Sequence, residues 1–214
     1  MFSMTRNGIL LLCLLSTAGC ATQSRAPATP ARPVAGATPE QQWGQRQQRL
    51  AAMRQWTLDG RVGLSIRQQS WSFGMNWEQQ GNGEYRMDIN NPLTGALMAH
   101  IQQQGSKVTL KAADGKLYQD SDAERLLQRQ LKLRFPLKNM RYWVRAVPEP
   151  GKAVTSVRLD NLGRPEQLVQ DGWVISYSAY KGDDTFALPG RIQLERAAEQ
   201  VKARVVAKEW KTSF

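Results

Sequence analysis

The sequence is poor in the side chains that carry out most protein chemistry. Its 214 residues include two cysteines and one histidine, His100, so a histidine relay or a histidine–cysteine metal site has little to build on. There is no glycine-rich phosphate loop, and Asp183, Asp184 and Glu195 have no partner at a spacing typical of acid–base or metal chemistry. We therefore expect no enzyme, cofactor or metal site, and a structural role for His100.

Long hydrophobic runs are also missing. The apolar run at residues 9–15 is far shorter than the roughly 20 residues that a membrane-spanning helix needs. It follows Arg6 and leads into Leu15-Ser16-Thr17-Ala18-Gly19-Cys20, which completes a secretory signal peptide with a lipoprotein cleavage site. We predict a signal peptide at residues 1–19 and lipidation of Cys20; an ordinary secretory cleavage is the alternative. Cys13 is lost with the signal peptide, so no disulfide can form.

Positive charge dominates the chain. The formal net charge is +11, and losing Arg6 leaves +10. On an exported lipoprotein this charge favours anionic lipid headgroups or an acidic protein face as partners, rather than nucleic acid. Residues 20–38 are rich in Ala, Pro, Thr and Gln and predict a lipidated, flexible tether. Residues 39–214 remain for a single folded domain, which we expect to be monomeric.

The hydrophobic period changes early in this domain. Residues 39–55 predict a polar helix whose narrow apolar stripe is Trp43, Leu50 and Met53, and we expect a surface helix without function. From Trp56 onward apolar and polar residues alternate, which is typical of antiparallel strands that are wet on one side. Residues 79–83 form a hairpin signal between two such strands.

Two helices interrupt the strands. Residues 121–124 match a capping box in which Ser121 caps the helix and Glu124 reaches back, and Leu126, Leu127 and Leu131 form its buried stripe. A second helix starts at Pro136 and ends before Pro148. Further strands are predicted from residue 154 to residue 210. The order of elements predicts an α+β fold, in which one antiparallel sheet has helices gathered on one face.

Large and adaptable apolar side chains are concentrated on the predicted inner face of this sheet. Seven tryptophans and several methionines could form the broad, deformable walls of a cavity for acyl chains, or they could form an ordinary solid core. The sequence leaves both interpretations open for Trp56, Leu58, Val62, Leu64, Trp71, Phe73, Met75, Trp77, Tyr85, Met87 and Ile89.

A loop at residues 90–95 lies between two predicted strands. Pro92 presets a turn, and Gly95 permits a positive φ on the way out of it. Leu93 near the tip would normally pack inward. If it points outward instead, it can touch a membrane or ligand and gain about 1.5–3 kcal/mol by burial in lipid.

Together these features resemble the LolB family of outer-membrane lipoprotein receptors, over about residues 41–210. The shared motifs are the lipobox at 15–20, RQWTLDGR at 54–61, FGMNWEQQG at 73–81, EYR at 84–86, NPLTG at 91–95, Pro136-Leu137 and Tyr142-Trp143-Val144. The resemblance implies an incomplete antiparallel β-barrel that is lidded by helices and encloses a hydrophobic cavity. It also implies that the protein is lipid-anchored in the outer membrane and faces the periplasm. Ala21 after Cys20, where an aspartate is absent, fits the class of lipoproteins that are sorted to the outer membrane.

The function implied by the resemblance is lipoprotein transfer. The domain would take the acyl chains of client lipoproteins from the periplasmic carrier LolA and insert them into the inner leaflet of the outer membrane. The family's exposed leucine, used for insertion, matches Leu93 within the loop Pro92, Leu93, Thr94 and Gly95, although Thr94 separates the leucine from the glycine. The alternative is a lipid-anchored envelope protein that binds or scaffolds a lipid or peptide without transferring it.

Overall fold

The computed structural model describes residues 36–132 and 135–213, apart from the side chain of Leu131. The predicted signal peptide, Cys20 and most of the predicted tether lie outside the described residues. Within the described part, no helix is long and apolar enough to cross a bilayer. The same residues contain no cluster of three or more histidine, cysteine, aspartate or glutamate side chains suited to a metal ion.

Within residues 36–132 and 135–213, eleven strands form one antiparallel sheet, accompanied by three α-helices. The elements are α1 Pro39–Ala52, β1 Gln55–Ile66, β2 Gln69–Gln80, β3 Glu84–Asn90, β4 Leu97–Gln104, β5 Lys107–Ala112, β6 Leu117–Asp120, α2 Ala123–Leu131, α3 Leu137–Trp143, β7 Val154–Leu159, β8 Pro165–Gln170, β9 Trp173–Ser178, β10 Arg191–Arg196 and β11 Val201–Ser213.

The strand order leaves the sheet open. It runs β6-β5-β4-β3-β2-β1-β11-β10-β9-β8-β7, so the first and last strands pair at its middle and β6 and β7 form its edges. This arrangement confirms the predicted α+β fold with a single antiparallel sheet that does not close into a barrel. Each edge strand leads into or out of the α2–α3 segment, which places these helices over the inner face.

Alternation along the strands puts the core on one face of the sheet. In β1 the buried Leu58 and Val62 lie opposite Trp77 and Phe73 of β2, so matching apolar side chains share that face. The helices add buried side chains from above, namely Leu126, Leu127, Leu137, Met140 and Trp143. We call the buried side the inner face and the opposite side the outer face.

The start of α2 differs from the predicted capping box. Asp122, not Ser121, is the N-cap, and its carboxylate accepts hydrogen bonds from the backbone N–H of Glu124 (2.9 Å) and Arg125 (3.1 Å). The carboxylate is the stronger acceptor at the positive end of a helix. The Glu124 side chain does not reach back but accepts from the backbone N–H of Lys138 at the start of α3.

The prediction of α1 as a polar surface helix is wrong in one respect. Arg46 is completely buried, as is Leu50 one turn later, so the inward stripe contains a cation. The helix ends at Ala52, three residues earlier than predicted, and the chain then enters β1. We call this end of the sheet the α1 end. The opposite end, where β3 finishes and residues 91–96 loop into β4, is the Leu93 end.

Candidate functional site

The eleven side chains predicted to line a core or cavity all lie on the inner face. Ten of them are buried, and Trp71 is half-buried. They pack against the helical side chains as one hydrophobic cluster. In this arrangement the helices rest on the sheet, and Trp71 is the member of the set that borders an open recess at the Leu93 end.

Aromatic rings fill the inner face toward the α1 end. The ring of Trp56 lies 5.1 Å from that of Trp77 and 5.7 Å from that of Trp210, and Trp77 is 5.9 Å from Tyr85. The indole N–H of Trp77 donates to the Gln79 side chain, which in turn donates to two backbone carbonyls. Tilted aromatic pairs of this kind add stability beyond their buried area, so these rings strengthen the packing at this end.

Two buried arginines tie α1 to the turn after α3. The guanidinium of Arg46 donates to the backbone carbonyls of Arg145 (3.0 Å), Ala146 (3.4 Å), Thr185 and Ala187 (2.9 Å). Arg145 donates in return to the carbonyls at the end of α1, those of Leu50 and Met53. Burial lowers the pKa of Arg46 and of Arg145 to about 10, so both remain cations at neutral pH. We call this pair the arginine clasp.

A buried hydroxyl beside the clasp gives a testable prediction about the interior. The Tyr177 hydroxyl is buried and has no hydrogen-bond partner within the described residues, and burial raises its pKa well above the usual value. Because an unsatisfied buried polar group is costly, Tyr177→Phe is expected to raise the free energy of unfolding by about 1 kcal/mol in urea titrations.

Tyr180→Phe is the matched control for Tyr177→Phe. The Tyr180 hydroxyl donates to the carbonyl of Pro165 at 2.6 Å, so its removal leaves that bond unmade and is expected to lower stability by about 1 kcal/mol. Equal losses from the two variants would show that Tyr177 has a partner after all.

The loop at the Leu93 end holds its leucine away from the protein. The Asn91 side chain accepts from the backbone N–H of Leu93 (2.9 Å) and Thr94 (3.1 Å), and the Asn91 N–H donates to the carbonyl of Ala96 at 2.8 Å. Gly95 has a φ of +73°, which closes the turn. Within this fixed loop Leu93 is 92% exposed, so the outward alternative left open by the sequence is the one observed.

Other exposed apolar side chains gather at the same end. Leu97 and Met98 begin β4 and are 49% and 45% exposed, and Leu117 begins β6 and is 59% exposed. The register places Ala112 beside Ala99 and Leu117 beside Lys111, so β4, β5 and β6 meet the Leu93 end together. Exposed large apolar side chains grouped in this way mark an interaction surface.

A recess of about 860 Å³ opens at the Leu93 end. Its walls are the β1–β2 hairpin, the C-terminal turn of α2 and the connection from β10 to β11. Ile66, Trp71 and Val201 provide its apolar part. Trp71, a member of the predicted inner-face set, therefore meets solvent in this recess, at the same end of the sheet as the loop that carries Leu93.

The polar residues considered for chemistry are dispersed. His100 Nδ1 lies 2.6 Å from the Asp88 carboxylate across two neighbouring strands, which is a structural pair. Asp184 accepts from the backbone N–H of Phe186 in a loop, and Glu195 pairs with Lys202 on the outer face. The structure brings none of these described groups into contact with the recess.

Sequence reasoning found the inner-face set and the loop but missed the arginine clasp and the rim of the recess. A signal for Arg46 was present, because residues 43, 46, 50 and 53 follow the 3–4 spacing of a helix stripe. The recess had no such signal, since its walls come from three segments far apart in sequence.

Comparison with known proteins connects this arrangement to a family. Residues 54–210 match the family model for outer membrane lipoprotein LolB. The chain is 33% identical over 205 residues to the outer-membrane lipoprotein LolB of Nitrosococcus oceani, covering 96% of each chain. It is 30% identical over 209 residues to that of Cellvibrio japonicus, covering 94% of this chain and 96% of the relative.

Solved structures share the fold at low sequence identity. A DUF1329 family protein from Desulfovibrio piger has a TM-score of 0.53 at 7% identity, covering 83% of this chain and 94% of that one. A LolA superfamily protein from Nitrosomonas europaea has a TM-score of 0.51 at 10% identity, with the same coverage. Together with the sequence matches, these findings show that the chain belongs to the outer membrane lipoprotein LolB family, the outer-membrane receptors of lipoprotein localisation.

Proposed function

We propose that the domain accepts lipoproteins from a periplasmic carrier of the LolA type and inserts them into the inner leaflet of the outer membrane. Client acyl chains enter between the inner face and its helices, which pack against each other here and so must separate to admit them. Cys20 with the tether at residues 20–38 anchors the domain to the membrane. The inner-face side chains supply the apolar walls, with Trp71 at the entrance. The Pro92–Gly95 loop, and Leu93 in particular, engages the bilayer at release.

One observation carries this proposal: the recess and the exposed Leu93 are at the same end of the sheet. Leu93 is 92% exposed in a loop fixed by Asn91, and the recess at the same end of the sheet reaches Trp71 of the inner face. A chain leaving the interior here would emerge at the end of the sheet that also carries a side chain suited to lipid. At the α1 end, aromatic rings and the arginine clasp occupy the inner face instead.

The energetics of handover agree with this arrangement. Burying an acyl chain of about sixteen carbons, at about 0.8 kcal/mol per CH₂, is worth on the order of 10 kcal/mol against water. Such a chain cannot cross water bare at a useful rate. Two cavities of similar hydrophobicity docked mouth to mouth make the transfer nearly neutral, so a small difference in affinity sets its direction without a nucleotide.

The first experiment tests acceptance. The mature chain carrying Cys20→Ala, and hence unlipidated, is mixed with carrier loaded with a labelled lipoprotein, and the two proteins are separated on a column. We expect the label to move to this domain with no nucleotide added. Label that stays on a carrier competent for other acceptors would contradict the proposed function and favour a binding or scaffold protein without transfer.

The second experiment tests release through Leu93→Glu. A charged side chain at this position loses the gain of about 1.5–3 kcal/mol from burying a leucine in lipid and adds a cost for the carboxylate. We expect acceptance from the carrier to be unchanged and release into vesicles to fall at least tenfold. The measurement is the fraction of labelled lipoprotein that floats with vesicles.

Val157→Glu is the matched control. Val157 is also an exposed apolar residue, at 36%, but it lies on the edge strand β7, far from β3 and β4 in the strand order. The same new charge there should leave both steps unchanged. Normal release by Leu93→Glu, or an equal defect in Val157→Glu, would remove the loop from the mechanism.

A further inference from the structure

The recess at the Leu93 end has an amphipathic lining. Its apolar part is formed by Ile66, Trp71 and Val201, whereas its rim carries three cations and one acid. The cations are Arg67 on the β1–β2 hairpin and Arg129 and Lys132 at the end of α2. A hydrocarbon chain alone needs no such rim, so the charges require a separate explanation.

Two of the rim cations are uncompensated. Arg129 pairs with Asp120, and the rim acid Glu199 pairs with Arg196 at 3.4 Å. Arg67 and Lys132 are exposed, and neither has a carboxylate within salt-bridge distance among the described residues. The rim therefore presents two positive charges to whatever occupies the recess.

The backbone of the rim turns sharply at three positions. Arg67, Lys132 and Gln200 have φ values of +55°, +57° and +55°, so three of the six non-glycine residues with positive φ in the described part belong to this rim. Such conformations are uncommon for residues other than glycine and are retained where the surroundings enforce them. The Arg67 N–H also donates to the Gln200 carbonyl at 2.9 Å, which joins the two hairpins of the rim.

The chemistry of the client does not account for these charges. An acylated amino-terminal cysteine carries ester, thioether and amide groups, all of them neutral. The bilayer beside Leu93 does supply anions, because phosphatidylglycerol and related lipids expose a negatively charged phosphate at the depth where cationic side chains bind. The charge of the rim thus matches the surface that receives the lipoprotein.

We propose that the recess rim binds the phosphate-bearing headgroups of anionic phospholipids, with Arg67 and Lys132 as the main contacts. This contact rests on the proposed function, since it holds the mouth of the domain against the bilayer while Leu93 inserts. It makes the orientation of the docked domain depend on charge, and it provides a membrane contact that the loop alone does not.

The test uses the mature chain carrying Cys20→Ala and vesicles of phosphatidylcholine with or without phosphatidylglycerol, and measures binding by co-sedimentation at low and high salt. Each cation near an anionic surface strengthens binding about five-fold, so Arg67→Gln/Lys132→Gln should lose roughly 25-fold on anionic vesicles. Binding to neutral vesicles should be unchanged, and salt should abolish the difference.

A second double variant, Arg61→Gln/Arg204→Gln, is the matched control. Both residues are exposed on the outer face, Arg61 in the middle of β1 and Arg204 three residues after Val201 in β11, and the variant removes the same formal charge. A loss below about three-fold supports a specific rim, since these side chains lie away from it. An equal loss in both variants, or no preference for anionic vesicles, would overturn the proposal.

Two further measurements separate this proposal from its alternatives. If glycerol phosphate displaces the domain from anionic vesicles as effectively as competing vesicles do, the rim is a site for soluble anions and not a membrane contact. If the rim variant accepts lipoprotein slowly from the carrier but binds vesicles normally, the rim recognises an acidic protein face. Failure of the wild-type chain to accept lipoprotein refutes the proposed function, while vesicle binding still tests the rim.

Discussion

Arg46→Met is expected to lower the free energy of unfolding by about 4 kcal/mol. The variant loses four hydrogen bonds from a charged donor, each of which contributes about 2 kcal/mol. It also no longer has to bury a charge, which offsets about half of that loss. The guanidinium is completely buried, and its acceptors are the backbone carbonyls of Arg145, Ala146, Thr185 and Ala187. The methionine side chain has a similar length but donates no hydrogen bonds to these carbonyls. Backbone carbonyls, unlike a carboxylate partner, cannot be removed by a compensating substitution.

Urea unfolding followed by tryptophan fluorescence measures this loss. Arg54→Met is the control, because Arg54 is exposed after the end of α1, and the same exchange there should change stability by less than about 0.5 kcal/mol. Arg46→Lys keeps the charge but not the planar fork of donors, so it should fall between wild type and Arg46→Met. If Arg46→Met were as stable as wild type, the clasp would not hold α1.

Gly163→Ala is expected to lower stability by about 3 kcal/mol, since it combines an unfavourable backbone conformation with a clash against α1. Gly163 lies in the β7–β8 turn with a φ of +66°. A Cβ there would be 2.5 Å from the Pro39 carbonyl oxygen and 2.7 Å from the Trp43 backbone nitrogen. Two of the atoms in the way are backbone, so either the turn or the first turn of α1 must move.

Gly151→Ala separates the two costs. Gly151 has a φ of +78°, but a Cβ at that position would have nothing within 4 Å. It should therefore show the backbone cost alone, about 1 kcal/mol. Equal losses for the two variants in the same urea titration would mean that α1 tolerates displacement from the β7–β8 turn.

The strands were predictable because one physical pattern determines them. Alternation from Trp56 to Ile89 fixed three neighbouring strands and their buried face, since burying one side of a pleated sheet demands a period of two. The loop with Pro92 and Gly95 was also predictable from turn chemistry. Only the structure, however, showed that the Asn91 side chain fixes the backbone so that Leu93 points outward.

Features that depend on distant segments were not predictable. Arg46 sits at an inward position of α1, but a cation there is ordinarily solvated, and its acceptors are carbonyls about one hundred or more residues away. The N-cap of α2 was predicted at Ser121 but is the adjacent Asp122, whose side chain accepts from the first backbone N–H groups of the helix. Arg67 and Lys132 belong to one rim only because the β1–β2 hairpin, the end of α2 and the β10–β11 connection meet there.

The central pairing of β1 with β11 has a consequence for when the chain can fold. The ladder from Gln55–Ser213 to Ile66–Val201 joins the two halves of the sheet, and its contacts span most of the sequence. Contacts of such long sequence separation form late. If the chain is exported from its amino terminus, as the predicted signal peptide implies, the sheet stays incomplete until the last strand has crossed. The position of β11 at the centre of the sheet would then delay completion of the fold until the whole domain has been exported.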